Sequence, residues 1–371
     1  MRTLLLDQSK DQPLILSIGS RTIQFGISGQ AKPLITLQTS SYSRPQLFSV
    51  QELSLHSLNE KDRLDNPPSL PLSLPEDLQS LKFLFYPDLL VCKDSAELVK
   101  TYQYNLQGHL FLILEDLFRR INFNAMNAKV FVLDDDYHNE WYKRILADTL
   151  LNKLQARSMV LLPKSLMCVL GAGISNGLVI DCGWNMVTVE PVYDYRVLGN
   201  YSGFTRRGGM RLHYRVVEEI MSEGKEGTTE EYDFDMVETM IRRYTEGKAT
   251  EDQNEATSHL PNLVNSCFFS DGQYDIDDKP PALLAFQIVK GLPIDIRREI
   301  SSHIVIVGGL SNIPGFCKTL LDQITQLLAD GGLEFTAKQV YSVGAWSGAS
   351  LFSSSMLPKH GVGRVRELRR D

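Results

Sequence analysis

Three glycine-punctuated apolar blocks, in a fixed order, constrain this chain more than any other feature. The central one runs from Asn176 to Gly209, NGLVIDCGWNMVTVEPVYDYRVLGNYSGFTRRGG. Leu178, Val179 and Ile180 lead to Asp181, the chain turns at Cys182-Gly183, and a second apolar run extends from Met186 to Tyr193. Strand, tight turn and strand predict a β-hairpin whose turn amides can face an anion. Gly183 suits such a turn because, without a Cβ, its backbone admits a close approach. Upstream, LILSIGSRTIQFGISG (Leu14–Gly29) repeats the pattern, its two strands joined at Gly19-Ser20. Downstream, HIVIVGGLSNIPGF (His303–Phe316) reads as an apolar strand, the pair Gly308-Gly309, and a helix start. A single Asp-x-Gly turn is usually only a turn; the three blocks in company are what suggest a ligand.

The remainder of the chain predicts an α/β protein. With 371 residues, 43% hydrophobic and 22% charged, it has material for one large or two medium domains. A net charge of −7 excludes a general nucleic-acid binder, and the basic run Arg364–Arg370 reads as a solvated tail. Cys92, Cys168, Cys182, Cys267 and Cys317 lie far apart without zinc spacing, so they read as small buried residues in a reducing compartment. The opening MRTLLLDQSK is too short in apolar residues for a signal peptide, and no apolar run spans a bilayer; a soluble intracellular protein is expected. Residues 36–80 are rich in Ser, Leu and Pro, ending NPPSLPLSLPEDL, and read as an extended insertion. Leu81–Val91 reads as strand or core. Helices are predicted over Asn105–Ile121, over His138–Gln155 with Asn139 or Asp136 as N-cap, over Met236–Gly247 and over Pro314–Gly332. Strands are predicted over Ala128–Asp136 and before Pro163. Ser222–Asp235 and residues 248–281 read as polar surface loops, and the stretch after Pro293 as a charged turn. Alternating strands and helices on this scale point to an α/β architecture.

Over residues 14–30 and 105–352 the chain resembles the actin-related proteins. The likeness is carried by IGSRTIQFGISG, NGLVIDCGWNMVTVEPVYDY, LPIDIRREISSHIVIVGGLSNIPGF and YSVGAWSGAS, in that order. Two Gly hairpins and then strand, Gly-Gly and helix are the nucleotide clamp of the actin, hexokinase and Hsp70 superfamily. The resemblance implies an actin-like two-domain α/β fold, each domain on a five-stranded sheet, with a nucleotide cleft between them. The small domain would comprise 14–165 plus 341–371, with the divergent 36–80 insertion, and the large domain 166–340. Within the family, VLLPKSLMCVLGAGISNGLVIDCG and GLPIDIRREISSHIVIVGG are most like the subgroup that caps the pointed end of dynactin's short filament. That subgroup implies a cytoplasmic, cytoskeletal subunit of dynein-dependent transport. Its partners would be actin-like filament subunits and the pointed-end adaptor subunits of dynactin, with no direct nucleic acid and no membrane span. A nuclear actin-related subunit of a chromatin-remodelling complex is the alternative reading. An active sugar or acetate kinase of the superfamily is disfavoured by the actin-type IDIR and GGLSNIPG blocks.

The family's hydrolytic chemistry needs a carboxylate on the magnesium's waters, a lysine on the phosphates and groups that orient water. Where actin's first hairpin has Asp, a second Gly and Lys, this chain has Ser17, Arg21 and Gln24. In the second hairpin Trp184 and Asn185 replace Asp and Gly, and Thr188 replaces the water-placing His. The catalytic Gln has no counterpart among Pro163–Leu170, and Asp181 alone remains of the acidic set. The resemblance therefore implies no catalytic residues, no metal ligands and no ATPase. It leaves Gly19, Ser20, Arg21, Asp181, Gly183, Gly308 and Gly309 as nucleotide-binding candidates for ATP or ADP held without turnover. Arg242 or Arg243 falls where the family has a nucleotide-contacting Lys. The competing reading is a cleft filled by Trp184 and Arg21.

Overall fold

The computed structural model describes residues 12–38, 96–135, 140–223, 234–245, 259–270, 275, 278–333, 337–356 and 367–369. The chain forms two compact units, one of residues 1–164 and 349–371, the other of residues 165–348.

In the first unit, β1 (Leu14–Ile18) and β2 (Thr22–Ile27) form an antiparallel hairpin, and β3 (Ile35–Gln38) lies beside β2. A long helix, α1 (Ala96–Arg120), leads to β4 (Lys129–Asp134), which pairs parallel to β1. Helix α2 (Glu140–Asp148), extended by a π turn over Thr149–Lys153, returns the chain to β5 (Ser158–Pro163), parallel to β4. The parallel pairs need such helical crossovers, and strands buried on both faces read as continuous apolar runs. Leu14, Leu16, Val130, Val132 and Phe25 pack with Leu110, Leu114 and Leu117 of α1 and Leu146 of α2. Ile15 and Phe131, pointing the other way, are buried as well.

The sheet of this unit has six strands, in the order β11-β5-β4-β1-β2-β3, not the five that the resemblance implied. The sixth is β11 (Glu367–Arg369), antiparallel to β5, with Leu368 against the core. Part of the basic tail is thus an edge strand. A single apolar residue among charges is a common edge composition, since charge discourages further pairing.

In the second unit, β6 (Gly177–Cys182) and β7 (Val187–Tyr193) form the second hairpin, and β8 (Arg196–Val197) and β9 (Gly203–Thr205) both pair with β7. β10 (Ile304–Val307) runs parallel to β6, completing five strands. One face, with Leu178, Ile180, Val187, Val189, Ile304 and Ile306, packs under α4 (Gly209–Glu223), α5 (Phe234–Thr245), α7 (Pro281–Gly291) and α9 (Phe316–Asp330). The other face packs Val179, Val192 and Val305 against Cys168 and Val169 of α3 (Lys164–Gly171) and Ala345 of α10 (Ala345–Leu351).

Two predicted loops are ordered elements. Within 248–281, residues Leu260–Val264 form helix α6, continued by a π turn over Asn265–Phe269, and Leu260, Cys267 and Phe268 are buried. Polar flanks hide this apolar core segment in the sequence. The charged stretch after Pro293 is helix α8 (Ile294–Ser301), with Ile300 buried and Ile296 packed on the core. Ser222–Glu223 end α4, and Phe234–Asp235 begin α5. The remaining parts of the 36–80 insertion beyond Gln38, the Leu81–Val91 stretch, Cys92, and the caps Asp136 and Asn139 lie outside the described residues. Among the described residues, no helix is long and apolar enough to cross a membrane.

Candidate functional site

The two hairpins close in the same way. In the first, the amide of Gly19 donates to the carbonyl of Thr22 at 2.9 Å; in the second, the amide of Gly183 donates to that of Met186 at 3.1 Å. The glycine requirement is also the same. A Cβ on Gly19 would lie 3.1 Å from the Thr22 oxygen, and one on Gly183 would lie 3.0 Å from the Met186 oxygen. Both candidate glycine amides are therefore spent inside their turns. An anion at either turn has to be met by the residues after the glycine: Ser20 and Arg21, or Trp184 and Asn185.

Register places the chemistry-bearing side chains opposite one another. Ser17 faces Gln24 across the first hairpin, and Asp181 faces Thr188 across the second. Ser17 and Gln24 are half-buried, while Asp181 and Thr188 are buried at 8% and 4% exposure. The first hairpin thus holds a neutral pair beside the half-buried Arg21, and the second a carboxylate beside a hydroxyl.

Gly308, Asp181 and Gly183 come together within the second unit. Gly308 ends β10 with φ of 94°, and a Cβ there would lie 2.6 Å from Asp181 Oδ1 and closer still to the Cys182 carbonyl oxygen. Gly308 is required by both its backbone angle and its neighbour. Gly309 opens the next 3₁₀ turn and differs: a Cβ there would meet nothing within 4 Å. Cys182, fully buried beside Asp181, has its thiol pushed well above the usual range, by burial first and then by that carboxylate and Cys317. It stays protonated and unreactive. Gly19, Ser20 and Arg21 belong to the first unit, so the seven candidate residues fall into two groups.

The structure adds neighbours that the sequence does not announce. Gly208 and Gly209 fold against the 183–186 turn, where the amides of Gly209 and Met210 donate to the carbonyls of Gly183 and Trp184 at 3.0 and 2.9 Å. A Cβ on Gly208 would lie 2.7 Å from both Asn185 C and Met186 N. The first amides of α4 are thereby satisfied by the turn. The Trp184 ring packs edge-on against His213 at 5.6 Å, and His213 Nδ1 lies 2.6 Å from Glu238 Oε1 of α5. The Gly208-Gly209 pair just before a helical stretch was the available signal. The His213–Glu238 contact joins separate helices and leaves no pattern in sequence. Arg242 and Arg243 lie exposed in the last turn of α5.

Two sheets built on Gly hairpins, with a strand–Gly-Gly turn against the second hairpin, define an actin-like α/β protein. Comparison with known proteins agrees. Residues 279–361 match the family model described as Actin. The chain is similar to Actin-like protein ARP10 of Saccharomyces cerevisiae, with 23% identity over 270 residues, covering 71% of this chain and 73% of that relative. It is also similar to Actin-related protein 2 of the same yeast, 20% identical over 55% of this chain and 57% of the relative. Against Actin-related protein 2 of Drosophila melanogaster the identity is 21%, over 56% and 57%.

Proposed function

We propose that this chain is a non-catalytic actin-related structural subunit that caps the pointed end of the actin-like filament of dynactin. There it contacts filament subunits and pointed-end adaptor subunits, in the cytoplasm, in support of dynein-dependent transport. The observation that carries the non-catalytic part is the register of the hairpins: Ser17 opposite Gln24, and Thr188 opposite Asp181. Asp181 alone supplies a carboxylate there; Ser17, Gln24 and Thr188 neither ionise nor act as bases, and loss of one such group costs orders of magnitude in rate. The likeness to actin-related proteins and the sequence blocks VLLPKSLMCVLGAGISNGLVIDCG and GLPIDIRREISSHIVIVGG support the subunit reading. ATP or ADP bound without turnover belongs to the same proposal.

Affinity purification from native cells, coupled to mass spectrometry, tests the partners: filament and adaptor subunits of dynactin are expected. Copurification with chromatin-remodelling subunits instead would overturn the assignment. A cap does not polymerise, so the purified chain should remain monomeric at micromolar concentration in polymerising salt. Pelleting as filaments of its own would contradict capping.

A further inference from the structure

Arg207 is a buried cation of the second unit, between β9 and α4. Its side chain is 3% exposed, where most arginines keep the guanidinium in water. Its Nε donates to the carbonyl of Asp278 at 2.8 Å, and its Nη1 donates to the carbonyl of Ser270 at 3.0 Å. The Asp278 carboxylate lies 3.8 Å from Nε and is also paired with Arg211 of α4. Ser270 follows the π turn Asn265–Phe269, so the guanidinium supplies a donor to a carbonyl that a helix end leaves without one. Gln323 of α9 does the same for the Phe269 carbonyl at 3.2 Å.

A buried ion pair is a weak stabiliser, because desolvation offsets the attraction; a rigid guanidinium fork fixes geometry instead. Here the fork holds two positions that lie apart in the sequence, and the residues after it have little slack. Gly208 and Gly209 are wedged on the 183–186 turn, and a Cβ on Gly209 would lie 3.0 Å from Trp184 Cε3. In a close-packed interior, a shift of Arg207 is passed to the residues bonded to it.

We infer that Arg207 couples the chain at Ser270 and Asp278 to the turn at Gly183, so that a contact steadying either one steadies the other. Such coupling is reciprocal. It lies within one unit and does not depend on what the turn binds.

Hydrogen exchange of the full chain, read by mass spectrometry over 183–186, 208–210 and 259–270, tests the coupling in Arg207→Met, Arg207→Lys and Asp278→Asn. Arg207→Met should speed exchange about tenfold in all three regions. Arg207→Lys keeps the charge but loses the fork, and should do nearly the same. Asp278→Asn alters only the far end of the tie. It should still speed exchange at 208–210 about threefold, and should add nothing in the Arg207→Met background. Circular dichroism shows which variants are folded, and Arg207→Lys and Asp278→Asn carry the test if Arg207→Met unfolds. Faster exchange at 259–270 with the turn unchanged within about twofold would overturn the coupling. Acceleration spread evenly over the second unit would show a loss of stability alone and overturn it too. An Asp278→Asn effect that persists undiminished in Arg207→Met would place the route through Arg211 and exclude Arg207.

Discussion

The hairpins of the two units share one backbone device and differ in what they carry. Each closes with a glycine amide donating three residues ahead, and each excludes a Cβ at that glycine by nearly the same distance, 3.1 against 3.0 Å. The second, however, is held from two further directions, by the Gly208-Gly209 start of α4 and by Gly308 at the end of β10. It also keeps the carboxylate Asp181, where the first has Ser17. The turn geometry is thus independent of the hydrolytic side chains: backbone hydrogen bonds and a missing Cβ suffice to maintain it. A hairpin of this kind can change its side chains and keep its turn for the same reason.

The largest expected effect lies where the second hairpin is buttressed. Gly308→Ala places a Cβ into Asp181 and the Cys182 carbonyl at a φ of 94°, and should cost about 3 kcal/mol in denaturant unfolding of the second unit. A loss below about 1 kcal/mol would show that the contact between β10 and the turn is slack.

Acid should separate the units next. His109 on α1 has its pKa lowered from 6.5 to about 4 by burial. The folded first unit therefore binds fewer protons than its unfolded chain between these values. Stability is flat above pH 6.5 and falls by up to about 1.4 kcal/mol per pH unit down to 4. Hydrogen exchange should show α1 and its sheet opening first, and His109→Leu should flatten that part of the profile. A steep loss that survives the substitution would place the sensitivity in other groups.

Gly19→Ala and Gly183→Ala probe what the two turns share, and each should cost about 1 kcal/mol. Near-equal losses in the two thermal melts support a common device. If Gly183→Ala costs much more, its buttresses prevent the turn from yielding. The smallest effect belongs to Gly309→Ala, within about 0.5 kcal/mol, because its Cβ meets nothing.

Much of this was legible in the residues. Apolar runs ending at Gly19, Gly183 and Gly308-Gly309 located both hairpins and the strand that flanks the second, because short continuous apolar runs bounded by glycine read as buried strands. The actin-like fold came from their order. What escaped has physical causes. Leu260–Phe269 was hidden among polar residues, although Leu260, Cys267 and Phe268 are buried. Ile294–Ser301 looked like a turn because charges outnumber its apolar residues, while Ile296 and Ile300 fall on one helical face. Leu368 packs the edge strand of the basic tail against the core, beside its backbone pairing with β5. At the site, sequence named Gly183 and Gly308 but gave no sign that the Gly183 amide is already spent, nor that Trp184 leans on His213.

On the proposed function, the first hairpin retains its turn without hydrolytic chemistry. Phosphate release from ATP by the purified chain, monitored over hours at saturating nucleotide and magnesium, tests it most directly. The prediction is no release above a protein-free control, with Ser17 opposite Gln24 and Thr188 opposite Asp181. Sustained turnover at a rate comparable to actin's, abolished by Asp181→Asn, would contradict it.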